Sequence, residues 1–122
     1  MLLGHAMNYK TIVVCVASVI FTACAGNAPP TYYSWGGYEA QLYSMYNRPE
    51  KATPELQIEA LEKDIMRAAQ SNRPVPPGVY AHLAYQYGLM GNKSKAIELF
   101  NMEKRLYPES STYINTFLKK IS

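Results

Sequence analysis

Two amphipathic runs meet at a Gly-Asn corner in YAHLAYQYGLMGNKSKAIELFNMEKRLYPES, residues 80–110, and little besides a helical hairpin accommodates that pattern. Tyr80, Leu83 and Tyr87 recur at helical spacing and line one face of the first helix. Ala84 and Ala96 are small where two helices must cross closely. Phe100 inserts from the second helix. Gly91 and Asn92 turn the corner, with Asn92 placed to cap the second helix. Pro108 stops it, because proline has no amide hydrogen to continue the ladder.

The remainder is also read as helix, with almost no strand signal. A last helix follows a cap at Ser110 or Ser111. Tyr113, Ile114, Phe117, Leu118 and Ile121 form its apolar stripe, and Lys119 and Lys120 suit the negative end of its dipole. Upstream, Thr53 is the expected N-cap of a helix that has Pro54 at its first position and Glu55 in its first turn. Ile58, Leu61, Ile65 and Ala68 make its buried stripe. Glu59 and Lys63 form an exposed i,i+4 pair. The prolines of NRPVPPG then force an extended crossing, and Pro77 is placed to open the next helix.

Five tyrosines and the only tryptophan crowd into YYSWGGYEAQLYSMY, residues 32–46. Trp35, Tyr38, Leu42, Met45 and Tyr46 fall at helical spacing, and Arg48 and Pro49 end the run. Trp35, Tyr38, Leu42 and Tyr46 are therefore expected to be core, since buried aromatics dominate the cores of small domains. Tyr32, Tyr33 and Tyr43 lie off that stripe and are the expected contact residues for a partner or a glycan.

Ahead of this tract lies TIVVCVASVIF, preceded by Lys10 and too short to span a bilayer, which takes about 20 apolar residues. It reads as the core of an export signal. FTAC then resembles the lipobox of bacterial lipoproteins, with Cys24 as the residue to be acylated and Phe21 where leucine is commoner. Residues 1–23 are read as a lipoprotein signal peptide, 24–31 as a flexible tether containing two prolines, and 32–122 as the folded domain. Met7 offers an alternative start. Cys15 falls inside the leader, so the two cysteines are not read as a disulfide. An acyl anchor at about 0.8 kcal/mol per buried methylene is effectively permanent. Ala25 after the cysteine, by resemblance to lipoprotein sorting rules, implies the outer membrane, with the domain facing the periplasm.

The hairpin resembles a tetratricopeptide repeat, a unit of about 34 residues. Tyr80, Leu83, Ala84, Tyr87, Gly91, Ala96, Phe100 and Pro108 carry the likeness. The fold class expected from it is all-α: a short tetratricopeptide-like array of helical hairpins with a C-terminal capping helix, the first two helices being a degenerate upstream pair. Glu103 departs from the pattern, where a small residue is usual, and implies a looser contact with the next element. Ala81, Tyr85, Gly88 and Leu89 occupy the positions that face the concave groove in tetratricopeptide proteins. The resemblance makes them either a partner-binding surface or an inert solvated face.

YYSWGGYEAQLY, LEKDI, PVPPGVYAHLAYQYGLMGN and FNMEKRLYPES together resemble a small family of bacterial lipoproteins of unknown function, domain of unknown function 4810. The likeness covers nearly everything after Cys24. It implies an outer-membrane lipoprotein encoded beside a curli-secretion-channel-type lipoprotein and a second small lipoprotein, and a shared envelope assembly. It implies no catalytic activity.

Twelve Lys and Arg face nine Asp and Glu, scattered along the chain, which gives no case for nucleic acid. His82 stands without Cys, His or carboxylate ligands in its neighbourhood, so no metal or other cofactor is expected, and it is read as a surface or hydrogen-bonded residue. Glu59, Glu62 and Asp64 alternate with Lys63 and Arg67 on expected exposed positions and do not form the converging pair that a glycosidase needs. No Ser-His-Asp set or phosphate loop occurs. The sequence therefore points to a non-enzymatic scaffold or assembly component of an envelope complex. The alternative is a peptidoglycan- or glycan-binding module, and an enzyme ranks last.

Overall fold

The computed structural model describes residues 31–122. The expected signal peptide, Cys15, Cys24 and all of the expected tether but Thr31 lie outside the described residues. Within them the protein is all-helical: α1 (Tyr38–Asn47), α2 (Pro54–Gln70), α3 (Val79–Leu89), α4 (Lys93–Leu106) and α5 (Ser111–Ile121). Single 3-10 turns at Pro49–Lys51 and Pro108–Ser110 follow α1 and α4.

Local signals account for most boundaries. Thr53 caps α2 through its hydroxyl, which accepts from the Leu56 amide at 3.5 Å, and Pro54 opens the helix. Asn92 Oδ1 accepts from the Lys95 amide at 3.1 Å and starts α4. The Gly91 that precedes it adopts a φ of 78°, which L side chains resist. Pro77 does not open α3. Gly78 is its N-cap, and the helix begins one residue later at Val79. Ser110 precedes α5 without a side-chain cap, because its hydroxyl donates instead to the Tyr107 carbonyl at 2.7 Å.

The core is one cluster made by four helices. Leu61 comes from α2, Val79, Leu83 and Ala84 from α3, Ala96, Leu99 and Phe100 from α4, and Ile114 from α5. Ala84 and Ala96 are fully buried, which lets α3 and α4 pack as a close hairpin. Tyr80 and Tyr87 are half-buried beside it, and the Tyr87 hydroxyl reaches across to Glu62 on α2 at 2.5 Å. Ile58 and Ile65 are only half-buried. Their places on the α2 core face are shared with Gln57 and Asp64, both buried.

α1 only borders this core, where Tyr38 packs against the cluster. It has no buried residue, Trp35 ahead of it is 39% exposed and Tyr46 is 85% exposed. The expectation that Trp35, Tyr38, Leu42 and Tyr46 form a core face is thereby corrected. Trp35 precedes the helix, and α1 sits at the edge of the helical domain. Of its apolar residues Tyr38, Leu42 and Met45, spaced four and three apart, turn inward, and they remain half-buried.

A buried carboxylate holds α1 instead. Asp64 is 6% exposed, not the surface residue that its charged neighbours suggest. Its Oδ2 accepts from the Gly37 amide at 3.0 Å and from Gln41 Nε2 at 2.8 Å, and its Oδ1 accepts from Arg67 at 3.3 Å. The carboxylate thus caps the positive end of α1. Gly36 makes this approach possible: its φ is 51°, and a Cβ there would stand 2.4 Å from Asp64 Oδ1. Gly36→Ala is therefore expected to release α1 and to cost about 2 kcal/mol. Faster proteolysis between residues 37 and 48, with the helical signal of the rest retained, checks this.

The proline-rich crossing 71–78 is tied from two sides. The Ser34 amide donates to the Pro74 carbonyl at 3.0 Å, and the Tyr107 hydroxyl donates to the Val75 carbonyl. Burial, first among several causes, pushes the Tyr107 hydroxyl up to about 12, so it stays a donor at any physiological pH.

Candidate functional site

An open groove of about 510 Å³ runs between α1, α3 and α5, within the range of ligand clefts in general. α1 supplies Tyr38, Leu42 and Met45, and α3 supplies Ala81, His82 and Tyr85. Tyr113 and Phe117 come from α5, and Phe100 of α4 forms the floor. None of the residues along it is Asp, Glu, Lys or Arg.

The walls are aromatic and mutually braced. Phe117 stacks on Phe100 with centroids 5.4 Å apart and planes inclined by 22°. Tyr113 and Tyr85 meet Phe117 edge-on at 4.8 Å and 6.2 Å. Across the groove, Tyr38 meets the His82 ring at 5.7 Å. Such offset and edge-on pairs stabilise beyond their area burial and hold rings in fixed orientations. Tyr113 and Tyr85 nevertheless remain 62% and 45% exposed, so broad ring surface faces the opening.

His82 is not the surface or hydrogen-bonded residue that the sequence suggests. Both ring nitrogens are shielded from solvent, and neither has a hydrogen-bond partner within the domain. Burial lowers its pKa, which keeps the imidazole neutral at neutral pH. Its one donor and one acceptor are both turned away from the open surface of the groove.

Beneath the groove, Glu103 fixes the start of α3. It is 1% exposed, and its Oε1 accepts from the Gly78 amide at 2.6 Å. Burial raises its pKa, while the amides of Gly78, Ala81 and Tyr80 pull it back down and Glu109 adds a smaller upward push. The expectation of a looser contact at Glu103 is overturned. A small residue there would leave the first amides of α3 without a partner, since Gly78 has no side chain with which to cap the helix itself. Both buried carboxylates have a sequence signal: Asp64 lies three residues after Leu61 and four before Ala68, and Glu103 lies three after Phe100 and four after Leu99. Each stands on an apolar stripe, where a charge is buried against a helix end or costs stability.

Of the residues that the sequence nominated for binding, Ala81 and Tyr85 line the groove. Gly88 and Leu89 lie outside its lining. Gly88 faces Ala96 across the hairpin, and Leu89 is 55% exposed. Tyr43 is exposed on the outer side of α1. Tyr32 and Tyr33 meet edge-on at 5.0 Å, away from the groove, and Tyr33 also meets Trp35 and Tyr107. The residues that sequence reasoning missed as groove walls are Tyr38, Leu42, Met45, His82, Tyr113 and Phe117. Tyr113 and Phe117 share a stripe with Ile114, Leu118 and Ile121, more apolar surface than one helix interface covers. Among the described residues no three His, Cys, Asp or Glu side chains converge to hold a metal ion. No helix there is long and apolar enough to cross a membrane.

The described residues define a small α-helical domain with an uncharged aromatic groove. The family model "Domain of unknown function (DUF4810)" matches residues 32–117, most of the chain, and the protein belongs to that family. No curated protein and no solved structure matches the chain.

Proposed function

We propose that the protein is a lipid-anchored outer-membrane component that acts without catalysis, docking another envelope protein in the groove between α1, α3 and α5. On this reading residues 1–23 are a signal peptide, Cys24 carries the acyl anchor, and residues 25–31 link that anchor to the domain. The α3–α4 hairpin is a tetratricopeptide-like unit and α5 its capping helix. The burial of Leu83, Ala84, Ala96 and Phe100 supports that likeness. A curli-secretion-channel-type lipoprotein is the partner class proposed from the family resemblance.

The observation that carries the proposal is the groove's composition. Aromatic and aliphatic walls without a charge suit the apolar face of a helix or peptide, and grooves of this kind are used for helix and extended-peptide recognition. Tyr and Phe supply large contact areas from few rotatable bonds.

Photo-crosslinking in intact cells tests this. A crosslinking residue at position 113 is expected to yield one discrete envelope-protein adduct, and the same residue at position 59 on the outer side of α2 none. Tyr85→Ala is expected to weaken the adduct roughly tenfold, as the loss of one aromatic anchor does. Equal labelling from both positions, or none from 113, contradicts the docking role. Fatty-acid labelling lost in Cys24→Ser tests the anchor separately.

A further inference from the structure

We propose that the end of the domain where the chain enters rests in the headgroup layer of the lipid surface. The patch is built from Tyr32, Tyr33, Trp35, Arg73, Leu106 and Tyr107. This is a second contact with lipid beyond the acyl chains, and it rests on the acylation of Cys24 proposed above.

The patch is continuous. Tyr33 is its hub, meeting Tyr32 at 5.0 Å, Trp35 at 6.2 Å and Tyr107 at 6.5 Å. Tyr107 and Leu106 border a shallow cleft with Arg73 and Pro74. The Ser34–Pro74 backbone bond fastens the aromatic segment to that cleft. Tyr32 is 76% exposed, Leu106 53% and Trp35 39%. None of these side chains belongs to the core cluster, and together they form a largely apolar surface edged by a guanidinium group.

Tether length selects the lipid as occupant. From Cys24 to Tyr32 the chain makes eight residue steps. A flexible chain of that length spans roughly 15 Å on average, and at full stretch it reaches roughly 30 Å. A domain of this size is itself roughly 30 Å across. At its average span the tether therefore keeps the entry end nearer the membrane than the far side, which reaches the lipid only when the tether is fully stretched. Trp and Tyr carry an apolar ring with a polar edge, which is the chemistry favoured at the water–lipid boundary. Arg73 is suited to pair with lipid phosphates. Sugar stacking fits the patch less well, because the Tyr32–Tyr33 and Tyr33–Trp35 rings are inclined by 84° and 78° and share no flat platform.

Trp35 is the only tryptophan, so its fluorescence reports on the patch alone. The acylated full chain, purified from membranes, would be reconstituted into phosphatidylethanolamine–phosphatidylglycerol vesicles with and without lipids brominated near the headgroup. Fatty-acid label, flotation and Trp35 emission are read together. Label, flotation and strong quenching of Trp35 by the brominated lipid are expected. Tyr32→Ser with Leu106→Ser is expected to restore most of the emission while the helical circular dichroism stays unchanged. Labelled protein that floats with Trp35 unquenched overturns this inference and leaves the anchor standing, as does quenching that survives the double substitution. Protein that neither labels nor floats overturns both. A Trp35 response to purified peptidoglycan with none to brominated lipid overturns the lipid assignment in favour of a glycan.

Discussion

Phe100→Ala is expected to lower the free energy of unfolding by about 3–5 kcal/mol, the range for a buried aromatic truncated to alanine. Phe100 is 2% exposed, belongs to the core cluster and stacks on Phe117. Removing it leaves a cavity between α3, α4 and α5 and takes away the groove floor. A domain of this size has a total stability of about 5–10 kcal/mol, so the variant stands close to unfolding. Urea denaturation followed by circular dichroism measures the loss. Phe100→Leu, which keeps most of the volume, is expected to cost much less, under about 2 kcal/mol. It separates the two roles of the ring: the fold is retained, while crosslinking from position 113 falls because Phe117 loses its stacking partner.

Glu103→Ala is expected to cost about 2–4 kcal/mol, through the unpartnered amides at the start of α3 and the volume removed beneath the groove. Glu103→Gln keeps an acceptor for the Gly78 amide and is expected to retain most of the stability. The pair also differs in its pH response. Burial holds the folded Glu103 carboxyl above its ordinary value of 4.5, so the folded state takes up a proton at higher pH than the unfolded chain. Its contribution to stability is then greatest below the ordinary value and declines as pH rises through the raised folded value. Wild type is thus expected to gain on Glu103→Gln as pH falls through that window. Denaturant midpoints measured across it decide the matter, and parallel pH curves for the two proteins would refute the buried-carboxylate account.

Much of the architecture was legible beforehand because it rests on short-range effects. Thr53 and Asn92 cap their helices as their side chains require, Gly91 turns the hairpin corner, and the small pair Ala84 and Ala96 marks the crossing of α3 and α4. The stripe of α5 was readable from its periodicity. The tyrosine-rich tract was misjudged for a physical reason. Helical spacing identifies which residues share a face, but it does not say whether another element covers that face. α1 lies at the edge of the helical domain, so Tyr46 projects into solvent and the inward residues stop half-buried as one wall of a groove.

Asp64 and Glu103 show the same division from the opposite side. Their places on apolar stripes were visible in the spacing, yet their charge argued for the surface. Both are buried because helix starts more than twenty residues away in the chain bring backbone amides to them, at Gly37 for Asp64 and at Gly78 for Glu103. The chain alone therefore settled helix identity, capping and turn positions, since these depend on neighbours within a few residues. Long-range packing settled which apolar faces stay open, which carboxylates are buried and how Tyr38, His82, Tyr85 and Phe117 converge, because each of those depends on what another helix brings alongside.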